Sequence, residues 1–221
     1  METQRIPTSV YAEMTPNPAV MKFVADRTLV PHSHQLEFRT KAEAMTCSPL
    51  ATELFNFPFV MGVFMSGSMV SVTKDESLGW EMIVQQLRTY ITEWLMEHPE
   101  AVEEAKLEDA VASVGQRPSE EADAPSKDAP QPEGVFIDLK DIEPTEHDDT
   151  IKQLLEEFVR PAVEQDGGAI DFVAFKEGTV YVHLRGACSG CPSSTQTLKG
   201  GIEQLLKSKM DVVEEVVAAG V

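Results

Sequence analysis

Apolar positions along this 221-residue chain fall into two periodic blocks separated by a stretch with almost none. In the first block, Phe59-Val60-Met61-Gly62-Val63-Phe64 and Met69-Val70-Ser71-Val72-Thr73 read as strands, and Ser66-Gly67-Ser68 between them supplies hairpin chemistry. Ile83, Leu87, Tyr90, Ile91, Trp94 and Leu95 recur at helical spacing, which predicts a helix ending near Pro99. Thr73 with Glu76 three residues later is a candidate capping box ahead of it. A shorter helix is predicted over about residues 48–55, with Pro49 suited to a first helical position and Leu50, Leu54 and Phe55 facing a core.

In the second block Thr150 and Gln153 form another capping-box pattern. Ile151, Leu154, Leu155, Phe158, Val159 and Val163 then make an apolar helical face. Asp166-Gly167-Gly168 stops that helix, because glycine tolerates the left-handed backbone of a C-cap. Residues 169–175 and 179–184 read as strands joined through Lys176-Glu177-Gly178. A glycine-rich loop then leads to a helix carrying Leu198, Ile202, Leu205 and Leu206, and a short last strand is expected within 212–217. The expected fold class is α+β: two small mixed α/β domains, 6–96 and 150–221, joined by a flexible acidic linker at 97–149.

Charge sharpens this division. The formal net charge is −19, of which residues 97–149 hold −13 and each flanking block −3. Six of the 14 prolines also lie in the middle stretch. Such a segment cannot offset the entropy of ordering its backbone and reads as a self-repelling spacer, although 135–142 is apolar enough to fold back onto a domain. The acidity argues against nucleic acid as a partner, since phosphate contacts need clustered Lys and Arg. No apolar run approaches the ~18 residues that cross a bilayer, so no membrane partner is expected. The opening residues Met1-Glu2-Thr3-Gln4-Arg5 lack the pattern of a secretory or transit peptide, and with three cysteines in all they point to a reduced, cytoplasmic protein.

Candidate chemistry is sparse in the first block. His32 and His34 alternate as strand residues would, but without Cys or acidic partners they read as surface histidines. Cys47 stands alone and reads as a small buried thiol, and Asp26 and Glu37 form no acid pair. Met14-Thr15-Pro16-Asn17-Pro18 with Met21-Lys22-Phe23, Ser48-Pro49-Leu50-Ala51 with Leu54-Phe55, and Trp80 together resemble the N-terminal domain of Nfu-type proteins, the NifU-like iron–sulfur cluster carriers. That resemblance covers roughly residues 10–95 and implies a role in contacting partners or targets.

The second block carries Cys188-x-x-Cys191 where a strand gives way to a helix, with Pro192 in the first helical turn. A helix N-terminus is expected to lower thiol pKa values and favour the thiolate, the form that binds metal or attacks disulfides. Gly186 and Gly190 allow the backbone to approach sulfur closely, and neither is needed merely to turn the chain. The pair alone leaves three readings open: a dithiol redox site, a metal or cluster site, or an incidental pair. Clusters and structural zinc ordinarily take four ligands, and this domain has two cysteines. His183, five residues before Cys188, reads as a structural strand residue. A second chain could complete four ligands about a two-fold axis, and a site shared in this way would open readily.

Val159-Arg160-Pro161, Asp166-Gly167-Gly168, Gly186-Ala187-Cys188-Ser189-Gly190-Cys191-Pro192-Ser193-Ser194 and Thr197-Leu198-Lys199-Gly200-Gly201-Ile202-Glu203 are similar to the NifU C-terminal, or Nfu, domain. The likeness spans essentially all of 150–221. It implies that Cys188 and Cys191 ligate an iron–sulfur cluster, expected to be [4Fe–4S], bridging two chains of a homodimer. It further implies delivery of that cluster from a donor scaffold to apo-proteins, without catalytic turnover. Rival readings are a thiol–disulfide oxidoreductase and a zinc-bridged interaction module.

Overall fold

The computed structural model describes residues 5–31, 34–107, 144–189 and 192–219, leaving aside the side chains of 192–195. Contacts divide the chain into two compact units, Met1–Ala129 and Pro130–Val221. Both mix helices and strands, so the α+β expectation holds for each.

The first unit is built on a five-stranded antiparallel sheet in the order β1-β2-β5-β4-β3. Its strands are β1 (Val10–Met14), β2 (Val20–Ala25), β3 (Gln35–Phe38), β4 (Val60–Ser66) and β5 (Met69–Lys74). The β4–β5 hairpin forms as its alternation predicts, with Gly67 at φ 52 supplying the left-handed turn position. Strands β1 to β3 were not legible as individual elements. β2 is an interior strand buried on both faces, so Val20-Met21-Lys22-Phe23-Val24-Ala25 shows little alternation to read. His34 sits just before β3 with its N–H on the Pro31 carbonyl (2.8 Å), and His32 lies outside the described residues.

Helix α1 (Lys41–Ala44) is a single turn capped by Thr40, whose hydroxyl oxygen accepts from the Glu43 N–H at 3.2 Å. Helix α2 (Pro49–Leu54) starts as expected: Pro49 is at the first position and the Ser48 hydroxyl accepts from the Ala51 N–H at 3.1 Å. The long helix α3 (Trp80–Glu97) buries Ile83, Leu87, Ile91, Trp94 and Leu95 in one cluster with Met21, Phe23, Val63, Met65, Val70 and Val72 of the sheet. The proposed Thr73–Glu76 box does not cap α3. Thr73 is still paired in β5, because the ladder runs on to Lys74, and Asp75 makes the bend by accepting the Ser77 N–H at 2.9 Å. At its other end α3 is closed by Arg27, which donates to the carbonyls of Leu95 (2.8 Å) and His98 (2.7 Å).

The buried cluster of this unit takes in Ala101, Val102 and Leu107, residues placed in the linker on composition. Their acidic neighbours hid these three apolar anchors. The Ser48 hydroxyl also donates to the Ala101 carbonyl at 3.0 Å, and the Glu103 N–H to the Cys47 carbonyl at 2.7 Å. The rest of the acidic stretch, 135–142 included, lies outside the described residues.

The second unit opens at helix α4 (Asp148–Leu154), ahead of which the Thr145 hydroxyl donates to Asp148 at 2.6 Å. Thr150 therefore stands inside the first turn and not at a cap. The helix widens into a π segment (Leu155–Val159) before α5 (Arg160–Gln165). Pro161 has no N–H for the Glu157 carbonyl and would crowd it in a regular α-helix; the wider turn relieves both. The same widening rotates Phe158 off the apolar face to 45% exposure, with the Lys209 ammonium 5.4 Å above its ring, whereas Ile151, Leu155, Val159 and Val163 are buried.

Asp166 ends α5 and Gly167, at φ 81, turns the chain into β6 (Gly168–Lys176). β6 pairs antiparallel with β7 (Thr179–Gly186) through a turn in which Glu177 (φ 48) and Gly178 (φ 81) are both left-handed. Helix α6 (Pro192–Lys209) then crosses over to β8 (Glu215–Ala218), which lies parallel to β7 and completes a sheet of order β6-β7-β8.

Candidate thiol site at the turn from β7 to α6

Alternation along β7 sets the site. Val180, Val182 and Leu184 point into the core, while Tyr181, His183 and Arg185 are half-buried on the other face. His183 is mid-strand opposite Asp171, and Arg185 is ion-paired with the same Asp171. His183 thus stays where its strand reading put it.

After Arg185 the chain turns sharply. Gly186 has φ 64, a backbone that favours glycine, so it is required for the turn itself, contrary to the sequence reading. Its carbonyl accepts from the Ser189 N–H (3.1 Å) and the Ser189 hydroxyl (2.9 Å). The Ala187 N–H donates to the Gly167 carbonyl at 3.2 Å, tying this turn to the end of α5. Gly186 is the direct partner of Gly168 across the β6–β7 ladder.

Cys188 follows, buried at 6% exposure in the cluster that holds Ile170, Leu184 and Val163. Burial pushes its thiol up to about 12, and the negative charge of Asp166 adds to the effect. The expectation of an acidified thiol does not hold for Cys188, which burial shifts the other way. Cys191 and Gly190 lie outside the described residues. Among the described residues no group of three or more His, Cys, Asp or Glu side chains gathers to hold a metal ion. Gly168 leaves space for this sulfur: an added Cβ would fall 2.6 Å from the Cys188 Sγ.

Cys47, in the first unit, is fully buried between α1 and α2 and stands raised above its ordinary pKa by that burial. Asp26 accepts the Ser9 N–H at 3.0 Å and Glu37 lies 3.7 Å from Arg39, both structural roles.

Two family models match the chain. Residues 151–217 match the NifU-like domain, and residues 10–98 match the N-terminal domain of the scaffold protein Nfu/NifU. Relatives include the NFU1 iron–sulfur cluster scaffold homolog, mitochondrial, of Homo sapiens, 31% identical over 94% of this chain and 70% of its own length. The same-named protein of Drosophila virilis is 30% identical over 94% of this chain and 60% of its own. That of Drosophila persimilis is 29% identical over 94% of this chain and 64% of its own, so the chain spans less than two thirds of these fly relatives. A solved structure of a Staphylococcus aureus protein aligns over 37% of this chain and 95% of its own, with a TM-score of 0.30 and 15% identity. The expectation of a cytoplasmic protein does not stand, because the relatives matched are named as mitochondrial. It rested on the first five residues and a low cysteine count, and neither reports a compartment. With both domain models in order along its length and a human relative 31% identical over 94% of this chain and 70% of its own, the chain belongs to the Nfu/NifU scaffold family.

Proposed function

We propose that this chain is an iron–sulfur cluster carrier, with the cluster as its cargo. Cys188 and Cys191 of two copies hold the cluster, of the [4Fe–4S] type, and hand it to apo-proteins. The observation that carries this reading is a pair of cysteines three apart, at the turn between β7 and α6, inside the segment that matches the NifU-like domain.

The donor chemistry fits. Thiolate sulfur is the ligand that iron–sulfur clusters take, and four are ordinarily needed. Each chain supplies two in its Cys-x-x-Cys segment, so a two-fold pair of chains supplies the set. A cluster held between chains and bounded by a short turn is open to incoming ligands. Transfer then proceeds by exchange: a client thiolate takes the place of Cys188 or Cys191 on iron, and the departing cysteine sulfur picks up a proton. No electron moves and no turnover chemistry is required of the protein. The first unit recognises clients or donors, and the acidic stretch between the units keeps the carrier domain at high effective concentration near them.

Anaerobic reconstitution with iron and sulfide, followed by incubation with an apo iron–sulfur protein and repurification of both, tests the reading. A brown dimer that loses its colour as the apo-protein gains cluster is the expected result. A colourless chain holding about half an equivalent of zinc and no sulfide would point to the zinc-bridged module instead.

A further inference from the structure

Cys188 faces the wrong way for a ligand shared with another chain. It is 6% exposed and belongs to the buried cluster that holds Ile170, Leu184 and Val163. Its sulfur rests against the bare Cα of Gly168, itself buried. A methyl at position 168 would fall 2.6 Å from the Cys188 Sγ, 2.7 Å from the Arg185 carbonyl oxygen and 3.0 Å from the Cys188 nitrogen. No side chain larger than hydrogen leaves room for the sulfur there. The surrounding backbone is held by two left-handed glycines, Gly167 (φ 81) and Gly186 (φ 64), and by the Ala187 N–H on the Gly167 carbonyl. The missing side chain of Gly168 thus leaves a seat for the Cys188 sulfur in this backbone.

We infer that this seat stows the Cys188 thiol between cargoes, with Gly168 as its positioning residue, and that the sulfur must leave the seat to be presented to a cluster. The turn therefore has a stowed and a presented arrangement. Stowing keeps the thiol from disulfide exchange and stray metal ions after one cluster has gone. It also favours release, since a sulfur that returns to its seat no longer competes with the client's thiolate. This consequence for transfer rests on the carrier reading; the seat itself concerns only access to a thiol.

Iodoacetamide labelling of the full chain, reduced and free of iron, tests it, with Cys188 read by fragment-ion mass spectrometry. Cys188 in the folded chain is expected to react at least about tenfold more slowly than in the same chain in urea, because labelling must wait for local opening. Gly168→Ala fills the seat and is expected to remove most of that protection. The methyl also meets the Arg185 carbonyl, so the variant is checked by circular dichroism. If it does not fold, the comparison of native and urea-unfolded chain decides alone. Equal labelling rates in the folded and unfolded chain overturn the proposal, as does a folded Gly168→Ala variant with protection unchanged. No iron enters the experiment, so its failure leaves the carrier reading standing, and a protected chain that takes up no cluster does the reverse.

Discussion

At the scale of the residue, Gly168 against the Cys188 sulfur matters as much as the cysteine. The Cys-x-x-Cys spacing, the Pro at the helix start and the glycine-rich loop are all legible in the sequence. Spacing along a chain, however, says nothing about which side of a turn a sulfur faces, and that decides its chemistry here. Burial holds the thiol at about 12, above the usual range, so the folded unit favours the neutral form. The unfolded chain releases this proton near the ordinary cysteine value of about 8.5. The stabilising contribution of the neutral thiol is therefore complete below that value and is lost as pH rises toward 12. Urea melts of the native chain between pH 8 and pH 11 are expected to fall more steeply than those of Cys188→Ser, which has no such proton to lose. Parallel profiles would show that the thiol is not held neutral by the fold.

At the scale of the element, caps separate what sequence pattern can and cannot tell. Ser48-Pro49 was read correctly because proline and a capping hydroxyl reinforce each other at one helix start. Thr73 and Thr150 carried the same kind of pattern and failed: one is still in a strand ladder and the other already inside a helix. Phe158 failed for another reason, since helical periodicity assumes a uniform turn and Pro161 forces a wider one. Ser48 does more than cap. Its hydroxyl accepts from Ala51 and donates to Ala101 in a buried setting, so Ser48→Ala is expected to cost about 1–3 kcal/mol in urea unfolding. A change within experimental error would remove it from any part in tying residue 101 down. Glu177 has the reverse prospect. It is a non-glycine residue at φ 48 in a two-residue hairpin turn, and Glu177→Gly is expected to stabilise the second unit by about 0.5–1 kcal/mol. A clear loss of stability would mean that the Glu177 side chain contributes more than its backbone conformation costs.

At the scale of the whole molecule, charge partition reveals the two-unit plan but misplaces an edge. Ala101, Val102 and Leu107 are three apolar residues in a stretch that is otherwise mostly acidic or small, so composition averages them away, yet each is nearly inaccessible to solvent. We propose that the first domain runs to residue 107. A fragment of residues 1–107 is then expected to melt several degrees above one ending at 97, as the loss of buried side chains at about 1.5–3 kcal/mol each requires. Equal melting temperatures would return the boundary to the end of α3. The central claim concerns the pair of cysteines shared between two copies, and one measurement addresses it most directly: iron and sulfide per chain after anaerobic reconstitution of the native protein, Cys188→Ala and Cys191→Ala. The native chain should carry about half a [4Fe–4S] cluster, as expected of one cluster between two chains, and each variant should carry almost none. Full cluster content in either variant would contradict the assignment.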